Sequence, residues 1–429
     1  MHANPSAEPL PPAPGGMPFA SARKLKLLFF AEAVTLAHVA RPVALARALS
    51  RSRYDVVIAC ARPYAGFSRS PDWVSVDLDS LPPERFAQAL AQGAPLYDLA
   101  TLKAYVQADL ALIDAHQPDL VVGDFRLSLS VSARLARRPY LSIANAYWTA
   151  YSPPNFPLPV LPLTRWLPIP VAQTLFSLFR PMAFGQHCRP MNQLRALHGL
   201  PSLGTDLRRV YTDADHLLVA DDPALHPLQA AGDAFSYIGP LAWSPDRPWP
   251  LAGDARPSAA HDDAAALPMV YVALGSSGPG AALAVVLDAL APLAVRVMAS
   301  TAGKPAPPHV PANARVFDYL PGDQAAARAA LVICNGGSLA VQQALAAGVP
   351  VLGVASNMDQ FLNMAPVVAA GAGQLLRADR LTVNKIRVAC QGLLQSPRAV
   401  TAARALQAGM LALPQPAAVF DAAAQRLLA

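Results

Sequence analysis

Residues 331–363 read LVICNGGSLAVQQALAAGVPVLGVASNMDQFLN. The apolar run Leu331–Cys334 has the length and composition of a buried strand, and Asn335-Gly336-Gly337-Ser338 turns it directly into a helix. That helix is expected from about Leu339 to Ala347, stopped by Gly348 with Pro350 just beyond. A second apolar run, Val349–Val354, follows and leads into Ala355-Ser356-Asn357-Met358-Asp359-Gln360. Strand, tight turn, helix and strand form a unit of a parallel α/β sheet. The two glycines allow a close backbone approach, and the helix start presents free N–H groups with partial positive charge, a physical site for a phosphate or diphosphate. Taken alone, the same glycines also suit an ordinary βα turn, and Asp359 a helix cap.

The alternation continues in both directions. Met269–Leu274 and Ala294–Met298 read as strands upstream of this unit. Near the N-terminus, Leu25–Phe30 and Tyr54–Cys60 flank a helical pattern of Val39, Pro42, Val43, Ala46 and Leu49, a βαβ unit. Helix is expected over Leu102–His116 and Ser128–Arg137, strand over Leu120–Gly123, Tyr140–Ile143 and His216–Ala220, and two further helices over 171–184 and 191–197. Residues 242–268, rich in Pro, Ala and Asp, lack any period and read as a linker. The fold class is therefore α/β, with two Rossmann-like doubly wound domains facing each other across a cleft. Domain 23–241 precedes the linker, domain 269–405 follows it, residues 1–22 form a Pro/Ala-rich tail, and 406–429 a C-terminal segment. Ligands of such sheets sit at the carboxyl ends of the strands.

Composition narrows the function. Charged residues are 14% and hydrophobic residues 53% of 429 residues, which excludes general disorder. The cysteines Cys60, Cys188, Cys334 and Cys390 are far apart, so neither a disulfide framework nor a zinc site is indicated. The net charge of +6 comes with no dense basic run, which argues against nucleic acid as a partner. The longest apolar stretch, Asn155–Phe184, is broken by prolines and by Arg165 and Arg180, so it cannot span a bilayer as one helix, and a cytoplasmic protein is expected.

The pattern N-G-G-S-x4-Q-A-L-x2-G-V-P-V-x7-D-Q-x2-N resembles the donor signature of the UDP-glycosyltransferase-like family, inverting Leloir enzymes with the GT-B fold. Gly336, Gly337, Ala344, Leu345, Gly348, Pro350, Asp359, Gln360 and Asn363 match its usual form. Leu274-Gly275-Ser276-Ser277-Gly278 resembles the family's phosphate-side loop, Tyr319-Leu320-Pro321 its base-binding loop with Gly322 in place of glutamine, and Ile238-Gly239-Pro240-Leu241 its hinge. The resemblance implies that Ser276, Ser277, Tyr319, Leu320, Asn335, Gly336, Gly337, Ser338 and Gln343 bind the nucleotide diphosphate and that Asp359 and Gln360 hold the sugar. Departures are Asn335 for a histidine, Gln343 for a glutamate that holds the ribose hydroxyls, and Leu339-Ala340 for Gly and Ser/Thr. A deoxyribose donor (dTDP-sugar) has one hydroxyl fewer to satisfy, so both UDP- and dTDP-sugars are candidates.

In the N-terminal half, Leu36-Ala37-His38-Val39-Ala40-Arg41-Pro42 resembles the family's G-H-x-x-P loop, whose histidine is often the general base. His38 stands after a strand at a helix start, where the free N–H groups favour an uncharged ring able to accept a proton. Asp124, ending Leu120–Asp124, corresponds to the aspartate that orients that base. Glu32 and Thr35 share the loop and are candidates to contact acceptor or donor phosphate. Trp148 and Phe156, with Trp166, Phe176, Phe179 and Phe184, are candidates to line an acceptor pocket, to dock 147–190 on the inner membrane surface, or to pack on the core. The D-x-D triplets Asp77–Asp79 and Asp213–Asp215 flank apolar segments and read as surface caps, so no metal and no cofactor is expected. These readings imply a metal-independent inverting transferase moving sugar from a nucleotide sugar to a small or lipid acceptor, with the C-terminal helix of about 416–428 returning to the N-terminal domain. The departures at Asn335 and Gln343 leave open a degenerate nucleotide-sugar-binding protein that activates a partner, and the fold also hosts nucleotide-sugar epimerases.

Overall fold

In a computed structural model, residues 23–229, 233–250, 267–275 and 280–429 are described. The tail 1–22, residues 251–266 of the linker, and Ser276 and Ser277 lie outside them. The first sheet has seven parallel strands: β1 (Leu25–Ala31), β2 (Tyr54–Cys60), β3 (Val74–Asp77), β4 (Leu120–Asp124), β5 (Tyr140–Ala144), β6 (His216–Val219) and β7 (Phe235–Tyr237), in the order β3-β2-β1-β4-β5-β6-β7. The second has six: β8 (Met269–Ala273), β9 (Arg296–Ser300), β10 (Ala314–Phe317), β11 (Leu331–Cys334), β12 (Val351–Ala355) and β13 (Gly373–Arg377), in the order β10-β9-β8-β11-β12-β13. Each sheet reverses its strand order once, at β1/β4 and at β8/β11, and there the crossovers diverge and leave a crevice.

Register decides what meets in each crevice. Ala31 pairs with Asp124, so the loop leaving β1 and the last residue of β4 lie side by side. Cys334 pairs with Ala273, which sets Leu274-Gly275 beside Asn335. Central strands are largely apolar because helices cover both faces. In β1, Leu27 and Phe29 join one buried cluster while Leu28 and Phe30 join another on the other face.

Five helices matter below: α1 (Leu36–Ala48), α2 (Ile169–Leu197), α3 (Ser338–Ala346), α4 (Met358–Ala369) and α5 (Pro416–Leu428). The two helices expected over 171–184 and 191–197 are in fact one, α2, with Pro181 and Pro190 inside it. Each proline forfeits one N–H and crowds the preceding turn, a local cost that the buried side Ala172, Cys188, Met191 and Leu194 offsets. Helix α5 packs on the first sheet: Phe420 is fully buried against Tyr54, and Asp421 accepts from the Tyr54 hydroxyl at 2.6 Å and pairs with Arg53.

Candidate active site

At the β1/β4 crevice, His38 lies in the first turn of α1, and Asp124, fully buried, is 2.7 Å away. Asp124 Oδ1, which can only accept, is closer to His38 Nδ1 (2.7 Å) than the donor-only Arg41 Nη2 (3.0 Å), which favours the tautomer in which Nδ1–H donates to Asp124 and Nε2 is left as the ring's acceptor. Phe125 stacks on the imidazole with centroids 4.7 Å apart. It holds that place with φ of 58°, a left-handed conformation a phenylalanine seldom adopts and one typical of over-determined functional loops.

Asp124 is shared. Arg41, one turn beyond His38 and also buried, donates Nε–H to Asp124 Oδ2 (2.8 Å) and Nη2–H to Oδ1 (2.7 Å), a bidentate fork. Its Nη1–H reaches Asn145 Oδ1 at 2.6 Å, and Asn145 Nδ2 donates to Asp221 at 3.1 Å. Asp221 in turn accepts from Gln342 Nε2 of α3 at 3.1 Å, and Gln342 also donates to the Ala220 carbonyl at 2.7 Å. A buried polar chain thus runs from the histidine across the domain boundary to the helix of the opposite crevice. Burial opposes the charge of Arg41, but Asp124 outweighs it and keeps the guanidinium cationic. Arg41, Asn145, Asp221 and Gln342 were missed in the sequence; the signal was that Asn145 directly follows β5 and Asp221 stands two residues past the end of β6, at strand carboxyl ends.

On the facing side, Gly337 is the N-cap of α3 and has no side chain with which to cap it, so the first-turn N–H groups at Ser338 open toward the cleft. Asn335 turns its Oδ1 back to the Gly337 N–H (3.0 Å). Gly336 does not line the cleft: with φ of 84°, its N–H meets Cys334 Sγ and its carbonyl accepts from Asn363 Nδ2 at 2.8 Å, so it shapes the turn instead of touching a ligand. Tyr319 and Leu320 line the cleft. Gln343 lines it as well, its Nε2 committed to the Trp243 carbonyl (2.6 Å) and Ser244 Oγ (3.2 Å) while its Oε1 lies against Gly322. Asp359 is not the cap of α4. Asn357 is, through a reciprocal capping box with Gln360, and Asp359 Oδ1 instead accepts from Trp148 Nε1 at 2.8 Å across the domain boundary. Gln360 is buried and its Oε1 receives Ser356 N–H and Asn357 N–H, which leaves only its amide nitrogen for a sugar.

One cavity of about 770 Å³ contains both ends of this arrangement: Thr35, His38 and Asp124 from one domain, Asn335, Gly337, Ser338, Asp359 and Gln360 from the other. Its outer wall is apolar, built by Phe86, Leu90, Trp148, Phe176, Phe179 and Phe184. Two expected contacts are corrected. Glu32 is fully buried beneath the loop, accepting from Tyr105 (2.8 Å), Tyr97 (3.2 Å) and Arg126 (2.8 Å), and faces no acceptor. Phe156 is buried against Phe184 and Arg180 and does not line the cavity. The D-x-D triplets are structural: Asp77 pairs with Arg62, Asp213 with Arg134 and Arg195, and Asp215 accepts from Tyr140 N–H. Among the described residues no three His, Cys, Asp or Glu side chains are grouped to hold a metal ion, and no helix is long and apolar enough to cross a membrane.

Residues 284–425 match the family model described as erythromycin biosynthesis protein CIII-like, C-terminal domain. The chain is 49% identical over 373 residues (87% of this chain, 81% of the relative) to a PGL/p-HBAD biosynthesis rhamnosyltransferase of Mycobacterium bovis. It is 47% identical over 394 residues (92% and 90%) to a PGL/p-HBAD biosynthesis glycosyltransferase of Mycobacterium tuberculosis. A further relative from Mycobacterium bovis, 43% identical over 278 residues (65% and 74%), is named an inactive PGL/p-HBAD biosynthesis glycosyltransferase. Among solved structures, the spinosyn forosaminyltransferase SpnP superposes with a TM-score of 0.66 at 18% identity, covering 94% of this chain and 100% of its own. The spinosyn rhamnosyltransferase SpnG complexed with thymidine diphosphate gives 0.62 at 20% identity, covering 93% and 99%. The two facing sheets are the GT-B fold.

Proposed function

Because this chain belongs to the glycosyltransferase family of the mycobacterial PGL/p-HBAD biosynthesis enzymes, we propose that it moves a deoxyhexose of the rhamnose type from a dTDP-sugar to a hydroxyl of an apolar acceptor, with inversion and without a metal. The observation that carries this reading is the single cavity holding the His38–Asp124 pair at one end and the open start of α3 at the other. His38 Nε2 takes the acceptor's hydroxyl proton as the oxygen bonds to the anomeric carbon. The bond from that carbon to the diphosphate breaks on the opposite face, and the nucleotide leaves with the electron pair. Asp124 orients the ring and stabilises the imidazolium it becomes. N–H groups at Ser338 receive the charge that develops on the leaving phosphate, a task performed by a metal ion in other transferases.

Gln343 supports the choice of nucleotide. Its amide nitrogen is committed to Trp243 and Ser244, so one carbonyl oxygen remains, enough for the single 3′-hydroxyl of a deoxyribose. The relative named a rhamnosyltransferase supports the sugar, and the apolar wall of Phe86, Leu90, Phe176 and Phe179 supports an apolar acceptor.

The test is a pair of measurements on the intact protein. dTDP is expected to raise the unfolding midpoint more than UDP does, and dTDP-rhamnose offered with an apolar hydroxyl-bearing acceptor is expected to yield dTDP and glycosylated product. His38→Ala should abolish product while keeping the midpoint shift. Undiminished transfer by that variant removes the base assignment, and a larger shift with UDP removes the nucleotide assignment.

A further inference from the structure

Helix α2 carries apolar residues on a side that no described residue covers. Val171, Leu175, Leu178, Phe179 and Met182 recur at helical steps and form one stripe. All five face solvent: Leu178 is 70% and Met182 66% exposed, and Trp166, just before the helix, is 86% exposed. The opposite side of the same helix is buried through Ala172, Cys188, Met191 and Leu194, so the solvent-facing stripe is surplus to folding. Contiguous exposed apolar surface of this kind marks an interaction site.

Two observations identify what covers it. Residues 147–190 contain Arg165, Arg180 and Arg189 and no carboxylate, and no Asp or Glu occurs anywhere between Asp124 and Asp206. A second copy packed stripe to stripe would bring these arginines together with no acid from this segment of either chain to pair them, and Asp379, beside Thr164, is already paired with Arg377, so the desolvation cost lacks a ready compensating partner. An anionic surface suits them. In addition, Leu175 and Phe179 are both exposed on the outside and part of the cavity wall that leads to His38, so the stripe is the outer lip of the site.

The geometry points to α2 as a docking face for an anionic phospholipid bilayer. Trp166, Leu178 and Met182 enter the headgroup–acyl boundary, Arg165 and Arg189 sit among the phosphates, and the cavity mouth opens onto the lipid instead of onto water. An amphipathic acceptor reaches His38 from the membrane without crossing solvent. Docking requires no turnover and is independent of the roles given to His38 and Gln343.

Flotation of the full chain with vesicles tests this directly. Wild-type protein is expected to float with vesicles of equal parts phosphatidylglycerol and phosphatidylcholine, much less with phosphatidylcholine alone, and less again at high salt. The double substitution Leu178→Glu, Met182→Glu should lower the bound fraction about tenfold, and Arg165→Gln with Arg189→Gln should erase the preference for phosphatidylglycerol. Leu178 and Met182 lie outside the cavity wall, so the first variant should keep the wild-type unfolding midpoint and its shift with dTDP. Leu411→Glu, exposed on the helix Pro397–Leu411, should float like wild type. Wild-type protein that ignores every vesicle overturns the proposal, as does flotation unchanged by the double substitution. Light scattering that shows a dimer dissolved by the same double substitution also overturns it, assigning the stripe to a second copy.

Discussion

Asp124 serves two partners at once, and the consequences differ for each. Asp124→Asn keeps the shape but offers an amide that can satisfy His38 only with the wrong tautomer. Transfer should fall by about 10³–10⁴-fold, with the dTDP-induced midpoint shift intact, as steady-state rates and thermal unfolding together will show. Arg41→Lys replaces a fork by a point charge that cannot reach both Asp124 and Asn145. Losing this fork of charged hydrogen bonds should cost about 1.5–3 kcal/mol, read from urea unfolding, and kcat should fall through displacement of His38. His38 and Asp124 were legible through their likeness to the family's G-H-x-x-P loop and its orienting aspartate, with His38 at a helix start beyond a strand and Asp124 at the end of another; the register Ala31 to Asp124 brings them together. Arg41 did not stand out, since an arginine on a helix looks like a solvated charge until β4 is known to end beside it. Glu32 failed for the complementary reason: a glutamate in a site loop looks available, and only the fold reveals Arg126, Tyr97 and Tyr105 around it.

At the level of elements, the turn into α3 is set by Gly336. A Cβ added there would lie 2.9 Å from Met364 Cγ and 3.2 Å from the Gln360 carbonyl, at a φ that side chains avoid. Gly336→Ala should therefore lower stability by about 1–3 kcal/mol and shrink the dTDP shift, because the start of α3 can no longer be held in place; calorimetry with and without dTDP reads both. The central strands were legible because burial on two faces leaves an unbroken apolar run, as in Leu27–Ala31 and Leu331–Cys334. Edge strands such as Val74–Asp77 and Ala314–Phe317 were not, since their partly exposed residues mix apolar and polar types without a period. Helix α2 was divided in reading because a proline inside a pattern signals a stop, while the tertiary contacts of Met191 and Leu194 carry the helix through.

Across the whole molecule, protonation should act through two histidines outside the His38–Asp124 pair, His216 on β6 of the first sheet and His187 in the cavity wall. Burial lowers the proton affinity of His216, held between the Asp233 carbonyl and Ser236, and of His187. The unfolded chain then binds more protons than the native one below the ordinary histidine value of about 6.5, so stability falls as pH drops through that region and is fully present above it. Urea midpoints should decline from about pH 8 to pH 5.5; a flat profile would contradict the burial of these rings. The two domains are also stitched together outside the cleft. Val160 N–H bonds the Ser356 carbonyl, Arg377 reaches the carbonyls of Leu158 and Pro159, Thr164 donates to Asp379, and Arg380 to the Thr164 carbonyl. The stretch 158–164 therefore belongs by sequence to one half and by attachment to the other. Anyone recombining these enzymes to pair a new donor specificity with an old acceptor would do well to transplant that stretch together with the C-terminal half, because a chimera joined only at the hinge inherits a strap whose buckle has been left on the other parent.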